Sequence, residues 1–215
     1  MQDETQTAQA APATRARARR KAEVIAAAAE CFMERGYQAT AVDDVAERLG
    51  CTKGRIYHYY ASKTDLFFDV HRAGMERLFD ALMPATKAHG TGLEVLRAMC
   101  LAHAEALLAH HTFVNVVAQG VHMHRFDSTP ENREIVQSLI DSRDRFEGYF
   151  KATLTRAIND GSIRPVDVPI TAKVLLGGLQ WSLFWYRPNR GDSRSARVRL
   201  AEKMVDPLID GLRVP

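Results

Sequence analysis

From about Arg17 to the end of the chain, apolar residues recur three and four positions apart, and most of these runs close on a glycine or a proline. That is the period of one face of an α-helix, whereas a half-buried strand would alternate every second residue. Ile25, Ala28, Ala29 and Phe32 set the first run, and Gly36 stops it. Thr40 is placed to cap a second, short helix, with Asp43 three residues on, and Val42, Val45, Ala46 and Leu49 share its inner face before Gly50. Thr52 opens a third short helix carrying Ile56 and Tyr60, and Ser62 opens a fourth with Leu66, Val70 and Leu78 down one side. No segment reads as a strand and no internal repeat is visible, so the expected fold class is all-α.

Pro84 and the stretch His89–Gly92 mark a break, after which the helical pattern resumes. The spacing predicts helices over 93–111 and 113–124, then a long one opened by Pro130 and ended by Asp160 and Gly161. Ile135, Leu139, Phe146, Phe150, Leu154 and Ile158 lie on the broad apolar face of that long helix. Two more follow, over 169–187 and 195–212, with Pro207 expected to kink the last or leave a carbonyl unpaired. The organisation expected is therefore a disordered, basic-flanked tail over 1–16, a head over 17–66, a connecting helix over 67–83 and a larger helical domain over 84–215.

Composition rules out several classes. Of the 215 residues 46% are apolar and 26% charged, the balance of an ordinary globular protein. No apolar run is long enough for a transmembrane helix, and Glu23, Glu30 and Glu34 crowd the run Ala26–Ala29 too closely for a signal peptide. Cys31, Cys51 and Cys100 are odd in number and form no C-x-x-C pair, which fits reduced thiols in a cytoplasm and excludes a zinc ribbon. His110-His111 and His122-x-His124 point to different helical faces, so no metal and no cofactor is expected. Net charge is only +3, but Arg15, Arg17, Arg19, Arg20 and Lys21 crowd into seven residues. Such an arm either touches nucleic acid or is a solvated tail.

Ala46, Gly50 and Ile56 lie four and then six residues apart. A helix-turn-helix needs these types there: a small residue where the helices cross, a glycine for a left-handed turn, and an apolar residue to lock the second helix. Lys53, Gly54, Arg55, Tyr57, His58 and Tyr59 are then left to face outward, a set without a carboxylate that suits phosphates and base edges.

Around this motif the chain resembles the tetracycline-repressor (TetR) family. The matching residues run from Ile25 to Leu66: I-x-x-A-A-x-x-x-F, Gly36-Tyr37, Thr40, Val42, Val45-Ala46, Leu49-Gly50, Thr52-Lys53-Gly54, Ile56-Tyr57-His58, Tyr60, Ser62-Lys63 and Leu66. Tyr60 stands where the family often has Phe, and Cys51 where it often has Val. The resemblance implies a three-helix helix-turn-helix domain followed by a larger helical ligand-binding and dimerisation domain. It implies that Thr40 and Tyr57 bond phosphates, that Thr52, Lys53, Gly54, Arg55 and His58 lie near bases or backbone, and that Lys63 holds a phosphate. It also implies a homodimer, paired through its last two helices, on an inverted-repeat DNA operator.

Gly177-Gly178 inside an apolar helix permits close helix approach, and Ala201, Met204, Val205, Leu208 and Leu212 form a stripe on the last helix. The segment around Trp181, Phe184, Trp185, Tyr186, Arg187 and Pro188 resembles TetR regulators of lipid and sterol breakdown that sense acyl-CoA thioesters. A hydrophobic effector pocket is expected from Phe113, Val117, Phe146, Phe150, Leu175, Leu179 and Phe184. One alternative is a sensor of cationic drugs controlling an efflux pump, for which Asp141, Asp144 and Glu147 are available but look solvated. Another is a helical enzyme or scaffold, against which stands the lack of a nucleophile elbow, phosphate loop or supported carboxylate pair.

Overall fold

A computed structural model describes residues 12–123, 130–189 and 191–214, and the described residues are helices joined by short turns. In order these are α1 (Pro12–Ala39), α2 (Val42–Arg48), α3 (Lys53–Tyr57), α4 (Lys63–Ala85), α5 (Gly92–Ala109), α6 (His111–Met123), α7 (Pro130–Asn159), α8 (Val168–Gln180), α9 (Ser182–Trp185) and α10 (Arg194–Asp210). The chain divides into two compact units between Val70 and His71, inside α4.

The N-terminal unit is built on α1, whose Val24, Ala28, Ala29 and Phe32 are buried. α1 begins at Pro12, so residues 12–16 of the expected disordered tail are helical; residues 1–11 of that tail lie outside the described residues. Proline suits a first helical turn, and the Ala- and Arg-rich sequence after it has high helix propensity. Gly36 adopts φ 76° and ψ 164°, which bends the chain where a stop was expected. Thr40 does not cap α2. Its buried hydroxyl turns back to donate to the carbonyls of Gly36 at 2.7 Å and Cys31 at 3.1 Å. Ala41 takes the cap position instead, and its N–H donates to Asp44 at 2.7 Å. At the start of α4 the expected cap forms, with the Asp65 N–H donating to Ser62 Oγ.

In the C-terminal unit, α5 is the central element, and its Leu96, Met99, Cys100, Ala104 and Leu107 are fully buried. Thr91 and Glu94 cap it reciprocally. Gly92 lets α7 approach so closely that a side chain there would stand 2.4 Å from Ala157 Cα. Asp160 accepts from the Gly92 N–H at 2.6 Å, and Arg97 of α5 pairs with Asp206 of α10 at 2.7 Å. The single helix expected over 169–187 is two. α8 stops at Gln180, and the one-turn α9 follows, after which Tyr186 is extended and donates its hydroxyl to Asp192 at 2.7 Å. Pro84 and Pro207 lie within α4 and α10 without ending them, and His124 of the expected histidine pair lies outside the described residues.

His103 of α5 sits wholly inside this core, 5.1 Å from the Phe146 ring and 6.1 Å from Phe150, and neither ring nitrogen has a hydrogen-bond partner among the described residues. Burial pushes its pKa down from 6.5 to about 4, so the folded protein holds it neutral. The unfolded chain binds a proton there below pH 6.5 and the folded chain does not until about pH 4, so stability rises with pH across that window. Lowering the pH from 7 to 5 should therefore cost about 2 kcal/mol through this group alone. Urea denaturation at the two pH values should show a smaller difference in His103→Leu; an unchanged difference would refute the assignment.

Candidate nucleic-acid interface and effector cavity

α2 and α3 are joined by a turn in which Gly50 takes φ 60°, a left-handed conformation that side chains disfavour. Ala46 is buried where the helices meet, and the Cys51 N–H donates to the Ala46 carbonyl at 2.9 Å. Ile56, 1% exposed, turns inward from α3. Thr52, Lys53, Gly54, Tyr57 and His58 are exposed as a consequence, while Arg55 and Tyr59 are half-buried. α2 itself is held to α1 by Arg48, which pairs with Glu30 at 2.9 Å and with Glu34, and by Arg35 paired with Asp44 at 2.5 Å.

The row is polar and free of carboxylates, but its cations are engaged within the unit. Lys53 pairs with Asp43 at 2.7 Å, which holds its ammonium above the ordinary lysine range. Arg55 pairs with Glu23 at 3.4 Å. Lys63 donates to the Tyr37 carbonyl at 2.9 Å and lies over the Tyr37 ring. Thr40 offers no hydroxyl to solvent. The structure also brings in residues that the sequence reading left outside the set: Arg20 shares a surface hollow with Arg55, His58 and Tyr59, and Arg17 and Lys21 adjoin Tyr59 beside it. The signal was present, because 17, 20 and 21 are spaced i, i+3, i+4 and face one way once the arm is helical.

In the C-terminal unit, α4, α6, α7, α8 and α9 enclose a cavity of about 300 Å³. Of the seven expected pocket residues only Val117 and Phe146 line it. Phe150, Leu175 and Leu179 are sealed in the core, Phe184 is 65% exposed, and Phe113 lies 3.8 Å beneath the Arg77 guanidinium. The other apolar walls are Met75, Leu78, Val114, Ala118, Leu176 and Leu183. Arg143, Asp144, Glu147, Lys173 and Gln180 supply its polar lining. Glu147, expected to be solvated, is largely buried and held by Lys151 at 2.6 Å and Lys173 at 3.0 Å. Among the described residues no cluster could hold a metal, and no helix is long and apolar enough to cross a membrane.

An exposed basic row on the second helix of a helix-turn-helix, joined in one chain to a helical unit with an apolar cavity, defines a ligand-responsive DNA-binding regulator. Residues 24–70 match the family described as bacterial regulatory proteins, tetR family, and residues 89–212 match the tetracyclin repressor-like C-terminal domain, so the chain belongs to the TetR family. The HTH-type transcriptional repressor KstR2 of Mycobacterium tuberculosis H37Rv is 30% identical over 171 residues, 79% of this chain and 82% of that one. The solved structure of this ketosteroid regulator matches with a TM-score of 0.78 at 25% identity, covering 91% of this chain and 96% of that one. PfmR of Thermus thermophilus matches with 0.74 at 30% identity, covering 89% and 99%. AibR, solved with isovaleryl coenzyme A and operator DNA, shares the fold with 0.73 at 22% identity, covering 91% and 99%.

Lys53 must leave Asp43 to reach a phosphate. Lys53→Ala should weaken duplex binding and flatten the log K against log salt slope by about one per lost contact in each subunit. Asp43→Asn should do the opposite to affinity, tightening binding several-fold by freeing Lys53. Fluorescence anisotropy over a salt series measures both, and a tighter Lys53→Ala complex would contradict the interface.

Proposed function

We propose that this chain is a homodimeric repressor, not an enzyme, that leaves an inverted-repeat operator when a small apolar, acyl-bearing effector fills the cavity. One observation carries the reading: α4 begins at Lys63, which we assign to the DNA side, and supplies Met75 and Leu78 to the cavity wall further along. All three residues belong to one helix. α4 and α6 lie in close contact. A side chain at Gly74 would meet Val117 at 2.6 Å, and one at Gly120 would meet His71 at 2.6 Å. An effector that displaces α6 therefore displaces α4, and with it the end that carries Lys63. In a dimer whose heads must sit about 34–36 Å apart on DNA, a small rotation of that lever suffices to unseat one of them. We place Thr52, Lys53, Gly54, Arg55, Tyr57, His58 and Tyr59 against the groove and its phosphates, with Lys63 and the arm residues Arg17, Arg20 and Lys21 on the flanking backbone.

The reading of the dimer rests on α8. Ile170, Val174 and Trp181 are 57–62% exposed along one side of it, with Gly177 and Gly178 between them. An apolar stripe of this kind, flat at its centre, suits a two-fold partner. Leu208 of α10 instead lies against Gly178 of the same chain, 3.4 Å from where a side chain there would begin. The free thiols Cys31, Cys51 and Cys100 fit a reducing cytoplasm. The cationic-drug reading is disfavoured by the cavity itself, where the carboxylate of Glu147 is already neutralised by two lysines.

Val174→Asp should give a folded monomer by light scattering. Loss of the paired head should lower its affinity for an inverted-repeat duplex, selected from random sequence by the wild-type protein, by about 10²- to 10⁴-fold. A dimeric Val174→Asp protein with full affinity would overturn the dimer proposed here, and wild-type protein that selects no duplex would overturn the repressor reading.

A further inference from the structure

Of the two cations that line the cavity, Lys173 is paired with Glu147 and Arg143 has no ion pair among the described residues. Arg143, on α7, is largely shielded from solvent and has no hydrogen-bond partner among the described residues. The nearby carboxylates do not answer it: Glu147 is taken by Lys151 and Lys173, and Asp144 is exposed to water. Desolvation outweighs their attraction and holds the guanidinium below its usual pKa, although it stays charged. A shielded, unanswered guanidinium is costly unless something with oxygen acceptors arrives.

The rest of the cavity is graded. Met75, Leu78, Val114, Val117, Phe146 and Leu183 make an apolar chamber, whereas Lys173, Gly177 and Gln180, all exposed, lie at its mouth. At about 300 Å³ the cavity is at the low end of ligand pockets. That size suits a short acyl group, of about eight carbons, better than a sixteen-carbon chain or a whole coenzyme A thioester.

Building on the effector reading above, we propose that the cavity takes an acyl chain of about eight carbons tail-first and that Arg143 binds its carbonyl or carboxylate oxygen. Anything attached beyond the carbonyl lies outside the mouth at Lys173 and Gln180. A free acid presents two carboxylate oxygens to Arg143 and a thioester one neutral carbonyl oxygen, and the chamber fixes the length.

Calorimetry on the full-length dimer without DNA tests this with octanoate, octanoyl coenzyme A, octylammonium, palmitoyl coenzyme A and coenzyme A alone. Octanoate, octanoyl coenzyme A or both should bind more tightly than every other probe, and the tighter of the two names the source. Arg143→Met should weaken that binding by about 10- to 100-fold, the worth of a charge-assisted hydrogen bond. It should leave operator affinity within twofold, which also shows that the variant folds. Ala118→Leu, which shortens the chamber, should move the optimum to a chain two or three carbons shorter. Octylammonium binding as well as octanoate, palmitoyl coenzyme A binding best, or Arg143→Met binding unchanged would each overturn the proposal. None of these touches the repressor reading, which is judged on operator release; release by a compound of another class would sink the acyl assignment and keep the repressor.

Discussion

What the N-terminal unit offers to DNA depends on one buried side chain. Ile56 is the point at which the five-residue α3 is fastened, and α3 is too short to hold its helical form by its own hydrogen bonds. With Ile56 inside, Thr52, Lys53, Gly54, Tyr57 and His58 have nowhere to go but outward. Gly50 sets the direction in which α3 leaves α2, and Ala46 sets how closely the two approach. The ion pairs of Arg48 and Arg35 hold α2 on α1, but they are partly exposed and individually worth little. The apolar contact fixes the presentation, and the charges decide what is presented.

The helix-turn-helix was legible because every residue that specifies it lies within one short segment. Ala46, Gly50 and Ile56 act through local spacing, and local spacing is what a sequence displays. The same reasoning placed Pro130 at the start of α7 and Ser62 as the cap of α4. It slipped by one residue at Thr40, because a threonine hydroxyl can serve the helix behind it as readily as the helix ahead, and here it turns back to the carbonyls of α1. It slipped again at residues 12–16, where Pro12 and the lack of large apolar residues suggested disorder although alanine and arginine favour helix.

The cavity was mostly illegible for a different reason. Val117 and Phe146 line it while Phe150, Leu175 and Leu179 do not, yet all five are apolar residues on inward helix faces. Which inward face meets a void and which meets another side chain is decided by the packing of five helices from across the C-terminal unit. Arg143 was hidden in the same way, among the acids Asp141, Asp144 and Glu147 of a stretch that reads as a solvated surface. What sets it apart is that Glu147, one turn away, is committed to Lys151 and Lys173.

α4 begins at Lys63 in the N-terminal unit and carries Met75 and Leu78 of the cavity wall. If effector and operator are coupled through that helix, each must weaken the other by the same factor, because coupling free energy is reciprocal. The most direct measurement is the dissociation constant of one effector for the full-length dimer, taken with the dimer free and again with it saturated by operator. A coupling of 1–3 kcal/mol predicts that operator raises the effector's dissociation constant by about 5- to 150-fold, and that effector raises the operator's by the same factor. An effector that binds in the cavity with equal affinity in both states would contradict the account.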